Sequence, residues 1–156
     1  PIGIDLNGIH ETRNSAQPII DFVSYKISQY GGVALIIDYG DWGSSGNTFQ
    51  AVKNHKPMNP LQKPGECDLT AHVDFLALSK AANHCSVSAL VPQGIFLNRL
   101  GIAERTNVLA KHMSKTELKS HLSGYQRLVH PTEMGDMFKA LALFPKKSRT
   151  PGAFKN

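Results

Sequence analysis

The chain has 156 residues, 41% of them hydrophobic and 19% charged, which is enough for one domain with a real core and unlike a disordered chain. Its formal charge of +5 comes from dispersed basic residues. The tightest group, Lys146, Lys147 and Arg149, has no interleaved aromatic residues, which argues against a nucleic-acid platform. Two cysteines, Cys67 and Cys85, make no disulfide framework and fit a reducing compartment, and no apolar stretch approaches the ~20 residues of a membrane span.

The opening Pro1-Ile2-Gly3 resembles neither a signal nor a transit peptide. With no initiator methionine, the chain reads as beginning inside a longer protein. Asn7-Gly8 is a hairpin-turn signal. Pro18 opens a helix on which Ile19, Phe22, Val23 and Ile27 recur at helical spacing, and Gly31-Gly32 ends it. The apolar run at 33–37 follows, a strand expected to be buried on both faces. Helix, glycines and strand make the second half of a βαβ unit. Gly40, Gly43 and Gly46 form a flexible loop, residues 48–53 read as extended, and Pro57, Pro60 and Pro64 make 55–65 an irregular loop. Asp68 or Thr70 caps a helix expected over about 71–83. Residues 86–91 alternate as a strand, and short helices are expected over 94–100 and about 103–112. Ser114-Lys115-Thr116-Glu117 is a capping box, and the helix it opens stops before Pro131. The apolar run 137–144 reads as a final strand, central or well covered, followed by a basic tail at 146–156.

The chemistry-bearing candidates cluster around the first strand. Asp38-Tyr39-Gly40 ends it, and ligands of open α/β sheets bind just outside the carboxyl ends of strands. Trp42, on the loop beyond, either covers a ligand or packs on the loop's own base. The glycine loop lacks the Lys-Ser/Thr pair of a phosphate-binding loop. Glu66, Asp68, His72 and Asp74 fall within nine residues. On a helix starting near Thr70, His72 and Asp74 would diverge by about 200° and form no dyad. Cys67, His72 and Asp74 are a weak metal set, so no metal is expected. Gln93 either caps the helix after the second strand or faces the same pocket. No nucleophile elbow or specific carboxylate pair names a hydrolase.

Five stretches together carry a family likeness. They are Gly31-Gly32-Val33-Ala34-Leu35-Ile36-Ile37-Asp38-Tyr39-Gly40, Asn47-Thr48-Phe49-Gln50-Ala51-Val52, Pro64-Gly65-Glu66-Cys67-Asp68-Leu69-Thr70-Ala71-His72-Val73-Asp74-Phe75, Gln93-Gly94-Ile95-Phe96-Leu97 with Leu100-Gly101-Ile102, and Met134-Gly135-Asp136-Met137-Phe138-Lys139. In this order and spacing, over about residues 8–144, the chain resembles the MidA-like family of S-adenosylmethionine-dependent methyltransferases. That family includes the mitochondrial protein arginine methyltransferase that assists respiratory complex I assembly.

The resemblance implies an α/β fold, the C-terminal half of a Rossmann-like class I methyltransferase sheet with helical insertions, spanning 1–145. It also implies that the glycine-rich S-adenosylmethionine loop lies in an N-terminal half that this sequence does not match. The implied partners are a protein substrate, such as a respiratory complex subunit, and either a second copy or the N-terminal half itself. The implied location is cytoplasmic in bacteria and mitochondrial in eukaryotes. Methyl transfer to an arginine nitrogen depends mainly on in-line placement, helped by carboxylates that hold the guanidinium. On that basis Asp38, Asp68 and His72 are expected to be catalytic and Tyr39, Trp42, Asp74 and Gln93 to bind substrate. The alternative is a non-catalytic interaction module.

Overall fold

The computed structural model describes residues 11–43, 46–63 and 65–155, so the expected Asn7-Gly8 turn lies outside the described residues. In chain order the elements are α1 (Ala16–Tyr30), β1 (Ala34–Asp41), β2 (Gln50–Lys53), β3 (Lys56–Met58), β4 (Asp68–Thr70), β5 (Val73–Asp74), α2 (Phe75–Ala81), β6 (Ser86–Val87), β7 (Val91–Pro92), α3 (Gln93–Arg99), α4 (Ile102–Ala110), α5 (Lys115–Val129) and β8 (Phe138–Phe144). Short helical turns at Pro131–Gly135 and Gly152–Phe154 flank β8.

The main sheet is built on β8. It runs antiparallel to β1 from Ala34↔Leu143 to Tyr39↔Phe138, and both β6 and β7 pair with its other edge. The sheet is mixed, because β5 joins β1 in parallel at Gly40↔Val73 and Asp41↔Asp74. Alternation along β8 divides the core in two. Leu141 and Leu143 face α1 and α2, packing with Ile20, Ile27, Phe75 and Leu78. Ala140 and Ala142 face the other way, where Val91, Phe96, Ala153 and Phe154 cover them. The expectation of a central final strand therefore holds: residues 140 to 143 are 0% exposed. The segment read as a basic tail returns to this second core. Phe154 stacks on Phe96 with ring centroids 5.2 Å apart, and Arg99 donates to the Ala153 carbonyl at 3.1 Å.

Helix α1 matches its signals, with Gly31 taking φ 76° to end it and its N–H donating to the Ile27 carbonyl at 2.9 Å. The stripe is rotated from the expected one. Ile27 is buried and Val23 packs against the core, but Ile19 and Phe22 are 62% and 59% exposed, because Ile20 and Ser24 take the inward positions. The buried Ser24 hydroxyl donates to the Asp21 carbonyl and accepts from the His84 N–H, so its polar atom is satisfied.

Strand β1 departs from its expected burial on both faces. Ala34 and Ile36 pack inward, while Val33, Leu35 and Ile37 are 58%, 49% and 39% exposed. The reason is coverage. Helix α3 and the Gly152–Phe154 turn cover the second face only over β8 and β7. Among the described residues, no strand pairs with the outer edge of β1 along 34–39.

The helix expected at 71–83 begins later. Asp68 and Thr70 lie on β4, where Val52 and Gln50 are their partners in a separate three-stranded sheet of order β3-β2-β4. This arm also replaces the irregular loop expected at 55–65 with a strand at its start. The cap of α2 is Asp74, whose Oδ1 accepts from the Ala77 N–H at 2.9 Å. The strand expected at 86–91 is split into β6 and β7 around Ser88. Ser88 keeps register through a backbone bond to the Ala142 carbonyl and a hydroxyl that accepts from the Ala142 N–H. The Ser114–Glu117 capping box is present in both arms, and α5 ends at Val129, before Pro131. Gly94 and Gly135 both pack on the Val129 carbonyl. A Cβ on Gly135 would lie 2.2 Å from that oxygen.

Two substitutions probe this framework. Leu141→Ala leaves a void at the centre of the first core and is expected to cost about 2–5 kcal/mol in chemical denaturation. Gly135→Ala forces backbone apart and is expected to cost about 1–3 kcal/mol, with no compensating gain in helix content by circular dichroism.

Candidate active-site cleft

A cleft of about 640 Å³ opens beside the carboxyl half of β1, within the range of small-ligand sites; Asp38-Tyr39-Gly40, expected to end the strand, lie within it, because pairing with β8 and β5 carries β1 on to Asp41. One wall is residues 11–20, running into the first turns of α1. The other is 71–78, the approach to β5 and the start of α2. Its floor is apolar, with Ile20, Ile36 and Leu78, and its polar rim includes Asp38, His72, Asp74, Glu11 and Arg13.

Asp38 reaches the cleft because it continues the inward parity of Ala34 and Ile36 along β1. Its Oδ1 accepts from the Tyr39 N–H at 2.8 Å, which fixes one carboxylate oxygen. Gly40 is required just beyond it. A Cβ there would lie 2.2 Å from the Val73 carbonyl oxygen, so only glycine lets β5 run alongside β1. That close approach places His72 and Asp74 in the lining of the same cleft as Asp38. The helical divergence expected of His72 and Asp74 does not arise, because α2 starts at Phe75 and the stretch before it is extended, where residues two apart share a side.

The other expected site residues are dispersed. Tyr39 is not a lining residue. Its ring stands edge-on to His72 at 6.0 Å and to Phe138 at 5.5 Å, so it backs the histidine. Trp42 is 48% exposed beyond the strand end and does not line the cleft. Asp68 sits on the exposed arm, paired with Val52, and is also outside it. Gln93 is buried, and its Nε2 donates to the Leu128 carbonyl at 2.9 Å, tying α3 to α5 outside the cleft lining. Cys67, His72 and Asp74 do not gather. Among the described residues, no group of three His, Cys, Asp or Glu side chains is placed to hold a metal ion.

Glu11 on the rim, and Thr48 bonded to it just outside the lining, were not among the expected site residues. Glu11 Oε1 accepts from the Thr48 N–H at 2.8 Å, Oε2 accepts from the Thr48 hydroxyl, and that hydroxyl accepts from the His72 N–H at 2.9 Å. Glu11 and Thr48 are 37 positions apart, so no local motif announces the pair. The Thr48 hydroxyl most of all holds the Glu11 carboxyl below the ordinary glutamate value of 4.5; burial, next in size, opposes it, and the Thr48 and Phe49 amides and the His72 charge add to the lowering. Elsewhere, burial pushes the Cys85 thiol up.

A cleft with acids on its rim, beside the strands of a mixed α/β sheet, is where such sheets bind ligands. The comparisons identify the family. Residues 4–93 match a family described as S-adenosyl-L-methionine-dependent methyltransferases, and the chain belongs to it. S-adenosylmethionine is the cofactor of that family. The mitochondrial protein arginine methyltransferase NDUFAF7 homolog of Drosophila melanogaster is 40% identical over 131 residues, which are 81% of this chain and 30% of the fly protein. The mitochondrial protein arginine methyltransferase NDUFAF7 of Homo sapiens is 36% identical over 140 residues, 88% of this chain and 32% of the human protein. The chain thus spans about a third of the length of these relatives. Two crystal structures from Burkholderia thailandensis share the fold at a TM-score of 0.77. One, bound to S-adenosyl-homocysteine, is 23% identical, with 93% of this chain and 39% of that one covered. The other is 24% identical and 41% covered.

Among the described residues, two glycine positions that follow strands do not lead into an open helix start. The glycines after β1 lead into the arm and not into a helix. Gly94, which opens α3 directly after β7, is filled from behind. A Cβ there would lie 2.4 Å from the Val129 carbonyl oxygen, and that space is occupied by protein.

The titration of Glu11 is testable. A carboxyl depressed in the folded state stabilises that state above its unfolded value, and the contribution is lost as pH falls through the folded value. The Thr48 amide resonance is therefore expected to titrate with a midpoint below the ordinary glutamate value of 4.5. Cys85, buried with its thiolate disfavoured, is expected to resist alkylation by iodoacetamide while the more accessible Cys67 reacts, as read by peptide mass.

Proposed function

We propose that this chain forms the acceptor side of an S-adenosylmethionine-dependent methyltransferase that modifies an arginine side chain of a protein, in mitochondria. The observation that supports this reading is the convergence of Asp38, Asp74 and His72 on one cleft beside the carboxyl half of β1. The arginine acceptor and the mitochondrial setting come from the names of the fly and human relatives. The link to complex I assembly rests on the family resemblance, with a respiratory subunit as the protein substrate.

A guanidinium is planar and cationic, and carboxylates grip it through charge-assisted hydrogen bonds. Asp38 and Asp74 suit that task because each has one oxygen committed to a backbone N–H, which orients the group and leaves the second oxygen for a ligand. His72, backed by Tyr39, is the group beside them that takes the proton the nitrogen gives up. Asp68, Trp42 and Gln93 drop out of the proposed site on position alone.

A separate observation favours a docking role for the same chain. Ile19 and Phe22 on α1 and Leu35 and Ile37 on β1, on opposite faces of the sheet, are exposed near the β1 edge that no described strand pairs, and exposed apolar residues of this kind mark interaction surfaces. In this reading the cofactor-binding half of the domain covers that edge, and activity requires both parts.

Calorimetry with S-adenosylmethionine on this chain and on a version extended upstream tests the assignment. Binding by the extended version alone is expected, whereas binding by neither removes the cofactor. In the extended version, Asp38→Asn is expected to lower methyl transfer to an arginine peptide about tenfold or more, equivalent to ~1.4 kcal/mol, with cofactor affinity unchanged. Undiminished transfer would take Asp38 out of the site.

A further inference from the structure

Three stretches lying between regular elements meet at the mouth of the cleft: 11–13 before α1, 47–49 before β2, and 71–72 before β5. Glu11 joins all three. Its carboxylate receives both donors of Thr48, the N–H at 2.8 Å and the hydroxyl. The hydroxyl proton is spent on Glu11, so its oxygen is left to accept, and it takes the His72 N–H at 2.9 Å. Every donor in this chain points toward the carboxylate, an arrangement in which each bond polarises the next. Arg13 adds a long bond from Nη2 to the Ala71 carbonyl at 3.4 Å, one residue from the same histidine.

The three acids on the rim are thereby sorted. Asp38 and Asp74 each have one oxygen bound by a backbone N–H, whereas Glu11 has both oxygens bound by Thr48. Its charge is already answered within the protein, and its effect reaches the cleft through Thr48 and His72. Thr48 also roots the β2–β4 arm, and Phe49 next to it lines the cleft.

We infer that Glu11 is a positioning residue of the acceptor site, which, through the Thr48 hydroxyl, fixes His72 against the cleft and pins the arm beside it. The inference rests on the acceptor-side reading proposed above for its functional consequence, and on the hydrogen bonds alone for the positioning itself.

Threonine-to-valine exchange keeps the shape and deletes the hydroxyl, and threonine-to-serine restores it. Thr48→Val and Glu11→Gln are expected to speed hydrogen exchange at the His72 amide and to weaken calorimetric binding of an arginine-bearing peptide to the full chain. Each effect should be about tenfold, as befits hydrogen bonds to a charged group. Thr48→Ser is expected to retain both properties, and thermal midpoints of all three variants should stay close to the parent's. If Thr48→Val leaves the His72 amide and the peptide affinity unchanged, the inference is overturned. A Thr48→Ser chain as impaired as Thr48→Val overturns it too, because the loss would then follow packing and not the hydroxyl. Should the parent chain bind no arginine peptide, the arginine assignment fails by itself, while exchange at the His72 amide still decides whether Glu11 positions it.

Discussion

Everything in this fold hangs on the alternation of small and large residues along β8. Leucines at 141 and 143 meet two helices on one side, and alanines at 140 and 142 admit α3 and the terminal Phe154 on the other. A strand buried on both faces needs no polar alternation, and the difference in side-chain size decides which layer packs closer. Because β1 takes its register from β8, the position of Asp38 is inherited from a strand a hundred residues further along the chain. The cleft is therefore a product of long-range pairing, with its local loop chemistry added afterwards.

The parallel contact of β5 with β1 is the second constraint. It is only two residue pairs long, yet it turns a sequence cluster into a spatial one. Without it, His72 and Asp74 would belong to the arm. With it, they line the same cleft as Asp38, and the absence of a side chain at Gly40 is what permits the strands to approach.

Features set by neighbours in sequence were legible. The glycine stop of α1, the capping box of α5, the halt before Pro131 and the apolar run of β8 each depend on residues within a turn or two of one another. What was not legible depended on partners elsewhere. Asp68 has the look of a helix cap until Val52 claims its backbone for a sheet, and Gln93 has the look of a pocket residue until the Leu128 carbonyl claims its amide. The apolar run of β1 reads as doubly buried because its composition reports what the strand is suited to, while its exposure depends on which surfaces are present to cover it. Asp38, His72 and Asp74 were picked out as candidates, but their assembly was not, since periodicity placed the last two on a helix. Thr48 fell within a stretch that carries the family likeness but had no role read for it, and Glu11 had none either, because their pairing spans 37 positions.

Asp74 holds two offices at once, as the cap of α2 and as part of the cleft rim. The two are thermodynamically linked. A ligand that engages the free oxygen leaves the helix start intact, whereas one that draws away Oδ1 must release the Ala77 N–H and loosen the first turn. By reciprocity, whatever tightens that turn also holds the carboxylate ready. A residue change that loosens the first turn of α2 is in this way coupled to the Asp74 carboxylate on the cleft rim, although it need not touch the cleft.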